Sequence, residues 1–264
     1  MKKLILLLLS FTLSFQVFAE EVSQKYLDEA LEIERNFLLA VTTGINGEHE
    51  IGKRPYRMLT GRNPTFYIST KKCKTEKCFE SRDRAYNSAI AFANDYNEFA
   101  VEKNVSVSGD SSWGAIPIYL VENLNSFGRW NCKYTGGNFR NCQIRVRVNR
   151  NDHIGQSVAH EMLNVLGIQD TQQSVFRGCL SYDDGRNYTP DYQGLCEVEK
   201  QVIRFALNHL RPGMRKGAVG NAFDKYWKEF IPSSTFALAR EIQAKDQKMQ
   251  DDKDNFCQNY PDYC

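Results

Sequence analysis

His160-Glu161-Met162-Leu163-Asn164-Val165-Leu166-Gly167-Ile168-Gln169-Asp170 is the stretch on which the reading of this chain turns. A helix is expected from about Asp152 to Leu166, stopped by Gly167, which can take the left-handed conformation a helix end needs. His160 and Asn164 stand at i and i+4 and so share one helix face. Two imidazoles at that spacing hold a metal ion, and a glutamate next to the first, here Glu161, lies beside metal-bound water as a general base. In this chain Asn164 stands where the second imidazole would be. A glycine ending such a helix lets the chain turn back, and three residues later Asp170 is in register to supply a third donor. The candidate metal ligands are therefore His160, Asn164 and Asp170, and the candidate catalytic residue is Glu161. Each also has a plainer reading: a polar pair on an exposed helix side, an amide facing water, a C-cap glycine and a capping aspartate.

Outward from this segment the periodicity predicts a mixed α+β architecture. Tyr26, Leu27, Ala30, Leu31, Ile33, Phe37 and Leu38 repeat with helical period between Val22 and Val41. Thr65–Thr70 is β-branched and aromatic and reads as a strand. A long helix is expected from about Glu80 to Glu102, because Ala85, Ala89, Phe92, Tyr96 and Phe99 recur in steps of four and three. Gly114–Val121 and Cys142–Val148 read as further strands. In the second, Ile144, Val146 and Val148 alternate with Gln143, Arg145 and Arg147, giving one apolar and one largely basic face. The apolar face is expected to pack on the long helix, with the His160 helix beneath the same sheet. Beyond the motif, helices are expected over Cys196–Leu210, Ala222–Phe230 and Ser234–Met249, interrupted at Arg211-Pro212-Gly213 and Pro232. The polar stretch from Asp251 to Cys264 reads as a loosely attached tail. The expected organisation is thus a leader over 1–19, one domain over 20–250 and a tail over 251–264.

The first residues carry the signature of export. Lys2 and Lys3 precede the mainly apolar Leu4–Val17, and Val17-Phe18-Ala19 offers small residues at the positions a signal peptidase reads. As an uncleaved anchor the run would be short of the roughly 20 apolar residues a membrane span needs, and no later stretch approaches that length. Cleavage after Ala19 removes two lysines and no acid, so 34 basic and 32 acidic residues become 32 and 32. A neutral balance argues against a dedicated nucleic-acid binder, which concentrates basic charge. The eight cysteines follow the leader and fall into neighbouring pairs: Cys73 with Cys78, Cys132 with Cys142, Cys179 with Cys196, and Cys257 with Cys264. In an exported chain an even count without CxxC spacing favours disulfides over zinc thiolates, and leaves no thiol to serve as a nucleophile. Gly136-Gly137 between Cys132 and Cys142 suits a hairpin turn. Periplasmic or secreted location is the expectation.

From about His160 to Met214 the chain resembles an uncharacterised bacterial family of unknown function with a zincin-like, metzincin-type fold. The likeness rests on Glu161, the Leu166-Gly167 helix end, Asp170, Ser174-Val175-Phe176 and Leu210-Arg211-Pro212-Gly213-Met214. It covers roughly a fifth of the chain. Members of that family often carry a non-histidine residue at the Asn164 position, so the resemblance implies the fold more than an activity. It also implies an incomplete HExxHxxGxxD site, with zinc bound weakly if at all. Met214 falls where a methionine turn would underlie the metal, or is a packed side chain after a Pro-Gly turn.

The remaining motifs are thin. His153 lies two turns before His160, about 10 Å along the axis, and cannot share its metal directly. His49 and His209 are candidates for a remote ligand on residue type alone. Asp183-Asp184-Gly185 could bind calcium or simply turn the chain. There is no Gly-x-Ser-x-Gly elbow and no phosphate-binding glycine loop. Paired carboxylates for glycoside hydrolysis stay open, since their distance is set by the fold. Two functions of different class follow. One is a non-catalytic, weakly metal-binding module, a pseudoenzyme recognising a protein or cell-envelope component. The other is a zinc metallopeptidase with Glu161 as general base. Neither implies a nucleic-acid partner.

Overall fold

The structure is a computed structural model that describes residues 22–43, 55–59, 63–100, 104–149, 153–170, 180, 190–229, 231 and 233–263. The expected leader, His49, Ser174–Phe176, Asp183–Gly185, Cys179 and Cys264 lie outside the described residues. The described part holds six α-helices and a six-stranded, mostly parallel sheet. Contacts divide it into two compact units: residues 33–230, and a second made of the residues up to 32 with those from 231 onward.

In the larger unit the elements run α1 (Gln24–Thr43, entering from the other unit), β1 (Met58–Leu59), β2 (Thr65–Ser69), α2 (Glu76–Phe99), β3 (Ser106–Ser108) and β4 (Ile116–Val121). They continue as β5 (Gly128–Thr135), β6 (Asn138–Arg147), α3 (Ile154–Leu166), α4 (Glu197–His209) and α5 (Lys216–Glu229). The long helix forms because its small and aromatic positions share one side, and Ala85, Ala89, Phe92 and Tyr96 are all buried. Strands β3, β2, β4 and β6 lie side by side in parallel, and β1 pairs in parallel with the start of β6. Strand β5 runs antiparallel along the other side of β6. Thr135 pairs with Asn138 across Gly136-Gly137. Both glycines have positive φ, 56° and 86°, as a two-residue hairpin turn requires. A bulge at Asn141, with φ 49°, shifts the register between Asn131 and Lys133.

Alternation puts Phe66, Ile68, Ile118, Leu120, Ile144 and Val146 in the core. The inward face of β6 was expected on the long helix and packs instead on α3, while α2 packs on β2, β3 and β4. The reason is strand order: β6 lies beyond β4, toward the hairpin edge, and α3 is the helix that runs beneath that edge.

Two described disulfides join the expected neighbours, Cys73–Cys78 and Cys132–Cys142. Cys196 and Cys257 are also disulfide-bonded, with partners outside the described residues. No described helix is long and apolar enough to cross a membrane.

The smaller unit contains the first turns of α1, α6 (Ser233–Asn259) and a 3-10 turn over Pro261–Tyr263. Lys25 Nζ meets Asp246 Oδ2 at 2.9 Å. Helix α6 runs on past Met249, where its end was expected, to Asn259. Its later turns are held by side-chain pairs four apart, Gln247 to Asp251 and Gln250 to Asp254, rather than by an apolar stripe.

Candidate functional site

All thirteen residues of α3 are buried. A helix enclosed on every side is ordinarily apolar all round. This one carries Gln156, Ser157, His160, Glu161 and Asn164, and Gln156, His160 and Asn164 form a stripe at steps of four. The Gln156 Oε1, Ser157 Oγ and Asn164 Oδ1 atoms are buried without a hydrogen-bond partner among the described residues. A buried polar oxygen left unpaired costs about 1–3 kcal/mol. Polar side chains retained there point to a role other than stability.

Gly167 ends α3 in the left-handed region, φ 115°, with its N–H donating to the Asn164 carbonyl at 3.1 Å. A β-carbon at this position would stand 2.9 Å from Met58 Cβ and 3.0 Å from the Arg57 carbonyl oxygen, so both backbone and space demand glycine. The Ile168 N–H then bonds back to the Leu163 carbonyl, and the Gln169 N–H to that of Val41. This reversal carries Asp170 over the helix it has just left. The Asp170 Oδ1 lies 3.0 Å from His160 Nε2 and accepts from Asn164 Nδ2 at 2.7 Å. Asn164 Nδ2 is also 3.2 Å from His160 Nε2. The three residues singled out as metal ligands thus meet at one point.

The other ring nitrogen of His160 faces the Leu180 carbonyl at 2.6 Å. The Leu180 N–H donates in turn to Glu199 Oε1 at 2.8 Å, and Glu199 Oε2 accepts from the Cys196 N–H at the start of α4. Glu199 is fully buried, so the Leu180 peptide is clamped between a fixed carboxylate and the imidazole. Neither Leu180 nor Glu199 was anticipated. A backbone carbonyl leaves no trace in sequence, but Glu199 had one: a glutamate three residues after a helix start is the second half of a capping box.

Electrostatics favour charge on both partners. Burial opposes a proton on His160. The Asp170 carboxylate, the hydrogen bond to it, Glu161 and the Leu180 carbonyl outweigh burial and push its pKa up to about 10. Burial would likewise raise Asp170, but the His160 charge and the hydrogen bonds from His160 and Asn164 lower it. The ring is 3–4 % exposed, whereas the Asp170 side chain keeps 44 % of its surface, so this ion pair has one side toward solvent.

Glu161 is buried on the next face of the helix, against the backbone of Gly128 at the start of β5. Any side chain at Gly128 would occupy the space of the Glu161 carboxylate. The remaining named residues go elsewhere. His153 packs on Phe127 with ring centroids 4.4 Å apart, and His209 stacks on Tyr226 at 4.2 Å. The Met214 sulfur accepts from the Arg211 N–H at 3.0 Å, and its carbonyl accepts from Tyr56, a role local to the Pro-Gly turn.

No protein-family model matches the chain, and no curated protein matches it in sequence. Zinc sits about 2.0–2.2 Å from imidazole nitrogen and carboxylate oxygen. His160 Nε2 and Asp170 Oδ1, 3.0 Å apart, need only a small separation to accept an ion between them. The unpartnered Asn164 Oδ1 would be the third donor, and a neutral amide oxygen is a poor ligand for zinc.

Proposed function

We propose that this is an exported protein of zincin-like fold whose metal site is degenerate, serving as a non-catalytic, weakly metal-binding module that recognises a protein or cell-envelope component. The fold reading is supported by three features of the larger unit: a mostly parallel sheet, an antiparallel hairpin strand at its edge, and a buried motif helix under that edge ended by a left-handed glycine. Export is supported by the leader-like start of the sequence and by the two described disulfides.

The observation that carries the functional part is the direct His160–Asp170 contact with Asn164 bonded into it. One imidazole and one carboxylate already satisfy each other, and the amide between them adds no strong donor. A stable catalytic zinc centre has three good protein ligands and an open position for water. Here the third is missing, and a metal would have to break the existing pair to enter. Glu161, buried on the next face of the helix against Gly128, would be the general base of the second reading, the metallopeptidase.

Zinc titration of wild type, His160→Ala and Asn164→His in parallel separates the two. The expected result is weak binding by wild type and a marked gain in Asn164→His, since i and i+4 already face the same way. Glu161→Gln should leave metal affinity nearly unchanged. Tight stoichiometric zinc in wild type, lost in His160→Ala, would overturn the non-catalytic reading in favour of the peptidase. No gain in Asn164→His would overturn the zincin-type site itself.

A further inference from the structure

The outward face of the β5–β6 hairpin is a second polar surface, separate from the His160 site and not dependent on its reading. Between Asn123 and Asn151 the chain has no acidic residue, although acids and bases nearly balance over the whole sequence. Pairing sets the outward side chains in rungs: Arg129 opposite Arg145, Asn131 opposite Gln143, Lys133 opposite Arg140, and Thr135 opposite Asn138. Arg129, Lys133, Arg140 and Arg145 are all exposed, and none forms an ion pair among the described residues. The next strand adds Tyr119 beside Arg145, with Lys72 Nζ 4.2 Å above its ring. Like charges directly opposite across two strands destabilise a hairpin. Two such rungs on one face, with no compensating acid among the described residues, fit a surface whose counter-charge comes from a partner.

The spacing describes that partner. Four residues of strand separate the two cationic rungs, about 13 Å at roughly 3.3 Å per residue. One small anion cannot span that distance, whereas an extended polymer with repeated negative charge can. Between the cationic rungs lies an amide rung, Asn131 with Gln143, and beyond the second lies a hydroxyl–amide rung, Thr135 with Asn138. Amides and hydroxyls hydrogen-bond sugar hydroxyls. Single-stranded nucleic acid is held instead on a succession of stacked aromatic side chains; the four rungs have none, and the ring of Tyr119 beside them already has Lys72 over it. We infer that the outer face of the β5–β6 hairpin binds an acidic polysaccharide, with the Arg129/Arg145 and Lys133/Arg140 rungs holding carboxylates and the Asn131/Gln143 rung reading the hydroxyls between them.

The test is affinity electrophoresis and titration calorimetry of the full disulfide-bonded chain, with polygalacturonate as probe, neutral dextran as control and oligothymidylate as competitor. Polygalacturonate should bind and dextran should not. Affinity should fall about tenfold or more as ionic strength rises from about 0.05 to 0.3 M, because exposed charges are screened. Arg129→Ala with Arg145→Ala should weaken binding about tenfold, and Asn131→Ala with Gln143→Ala about threefold, by loss of charged and neutral hydrogen bonds respectively. Zinc titration should be unchanged in all of them, which keeps this result distinct from that of the His160 site. The arginine variant should melt no lower than wild type, since it removes like-charge repulsion. Lys133→Gln with Arg140→Gln repeats the test should the first variant fail to fold. No binding of polygalacturonate, equal binding by the variants, or tighter binding of oligothymidylate would overturn the assignment.

Discussion

Helix α3 encloses Gln156, Ser157, His160, Glu161 and Asn164, whereas the β5–β6 hairpin leaves Arg129, Lys133, Arg140 and Arg145 in solvent. Both belong to the same compact unit. On the helix, polar groups are brought in from water and must be answered from within: His160 by Asp170 and Leu180, and Leu180 by Glu199. On the hairpin, charges sit opposite their own kind and water screens them. The difference predicts where substitutions hurt. A lost partner on the helix leaves a buried group unsatisfied, whereas a lost charge on the hairpin relieves repulsion.

The largest effect should come from Glu199→Ala. Its carboxylate is buried and accepts from two backbone N–H groups, of Leu180 and Cys196. Leaving both donors unpaired in the interior should cost about 3 kcal/mol of unfolding free energy in urea titration. Glu199→Gln, which keeps one acceptor, should cost less. Equal stability of Glu199→Ala and wild type would mean that Leu180 is not held from this side and that the inner network is looser than its geometry.

Gly167→Ala comes next. At φ 115° an added side chain is strained, and Met58 and Arg57 already stand at contact distance. A loss of about 1–3 kcal/mol is expected. Because the same turn delivers Asp170, zinc affinity of the Asn164→His protein should fall when Gly167→Ala is added. A stability loss without that fall would separate the helix cap from the site.

The third effect depends on pH. His160 has its pKa raised from 6.5 to about 10, so the stability it contributes is fully present below pH 6.5 and is lost as pH rises through about 10. Buried Tyr56 and Tyr96 and half-buried Tyr192 are also raised, from an ordinary value of 10, and they withdraw stability only above that value. The interval from about pH 7 to 9 therefore reports on His160, with a slope of at most about 1.4 kcal/mol per pH unit for one proton. Wild type should lose stability across it, and His160→Gln should be nearly flat. Parallel curves would show that the His160–Asp170 pair is not ionised.

The same contrast explains what could be read in advance. The motif helix, its glycine end and the convergence on Asp170 were legible because helical period and a left-handed cap are local properties of the residues that carry them. The strands at Thr65–Ser69 and Ile116–Val121 were legible through their apolar, β-branched and aromatic content. Strand β5 was not, although Trp130, Cys132 and Tyr134 alternate with Arg129, Asn131 and Lys133, because at the sheet edge its inward positions are only partly covered and none is aliphatic. Only the Gly136-Gly137 turn hinted at it. The choice of α3 rather than α2 as the support of β6 follows from strand order, which no local pattern encodes. The Leu180 carbonyl was invisible for the reason given above, and with it the clamp on His160.

The smallest effect has the opposite sign and is the sharpest test of the contrast. Arg129 and Arg145 are directly paired on the exposed face, and like charges so placed destabilise by roughly 0.2–1 kcal/mol. Arg129→Thr removes one of them and substitutes a residue that favours strands. It should raise unfolding free energy by about 0.5 kcal/mol, or the melting temperature by about 1–2 °C for a unit of this size. The gain should shrink as salt is added, because the repulsion it relieves is screened over about 10 Å at 0.1 M ionic strength. Arg129→Glu should gain slightly more at low salt, by turning repulsion into attraction, and should lose that advantage in the same titration. A destabilised Arg129→Thr would mean that the arginine packs against the hairpin rather than facing water. The hairpin would then be governed, like α3, by contacts inside the protein.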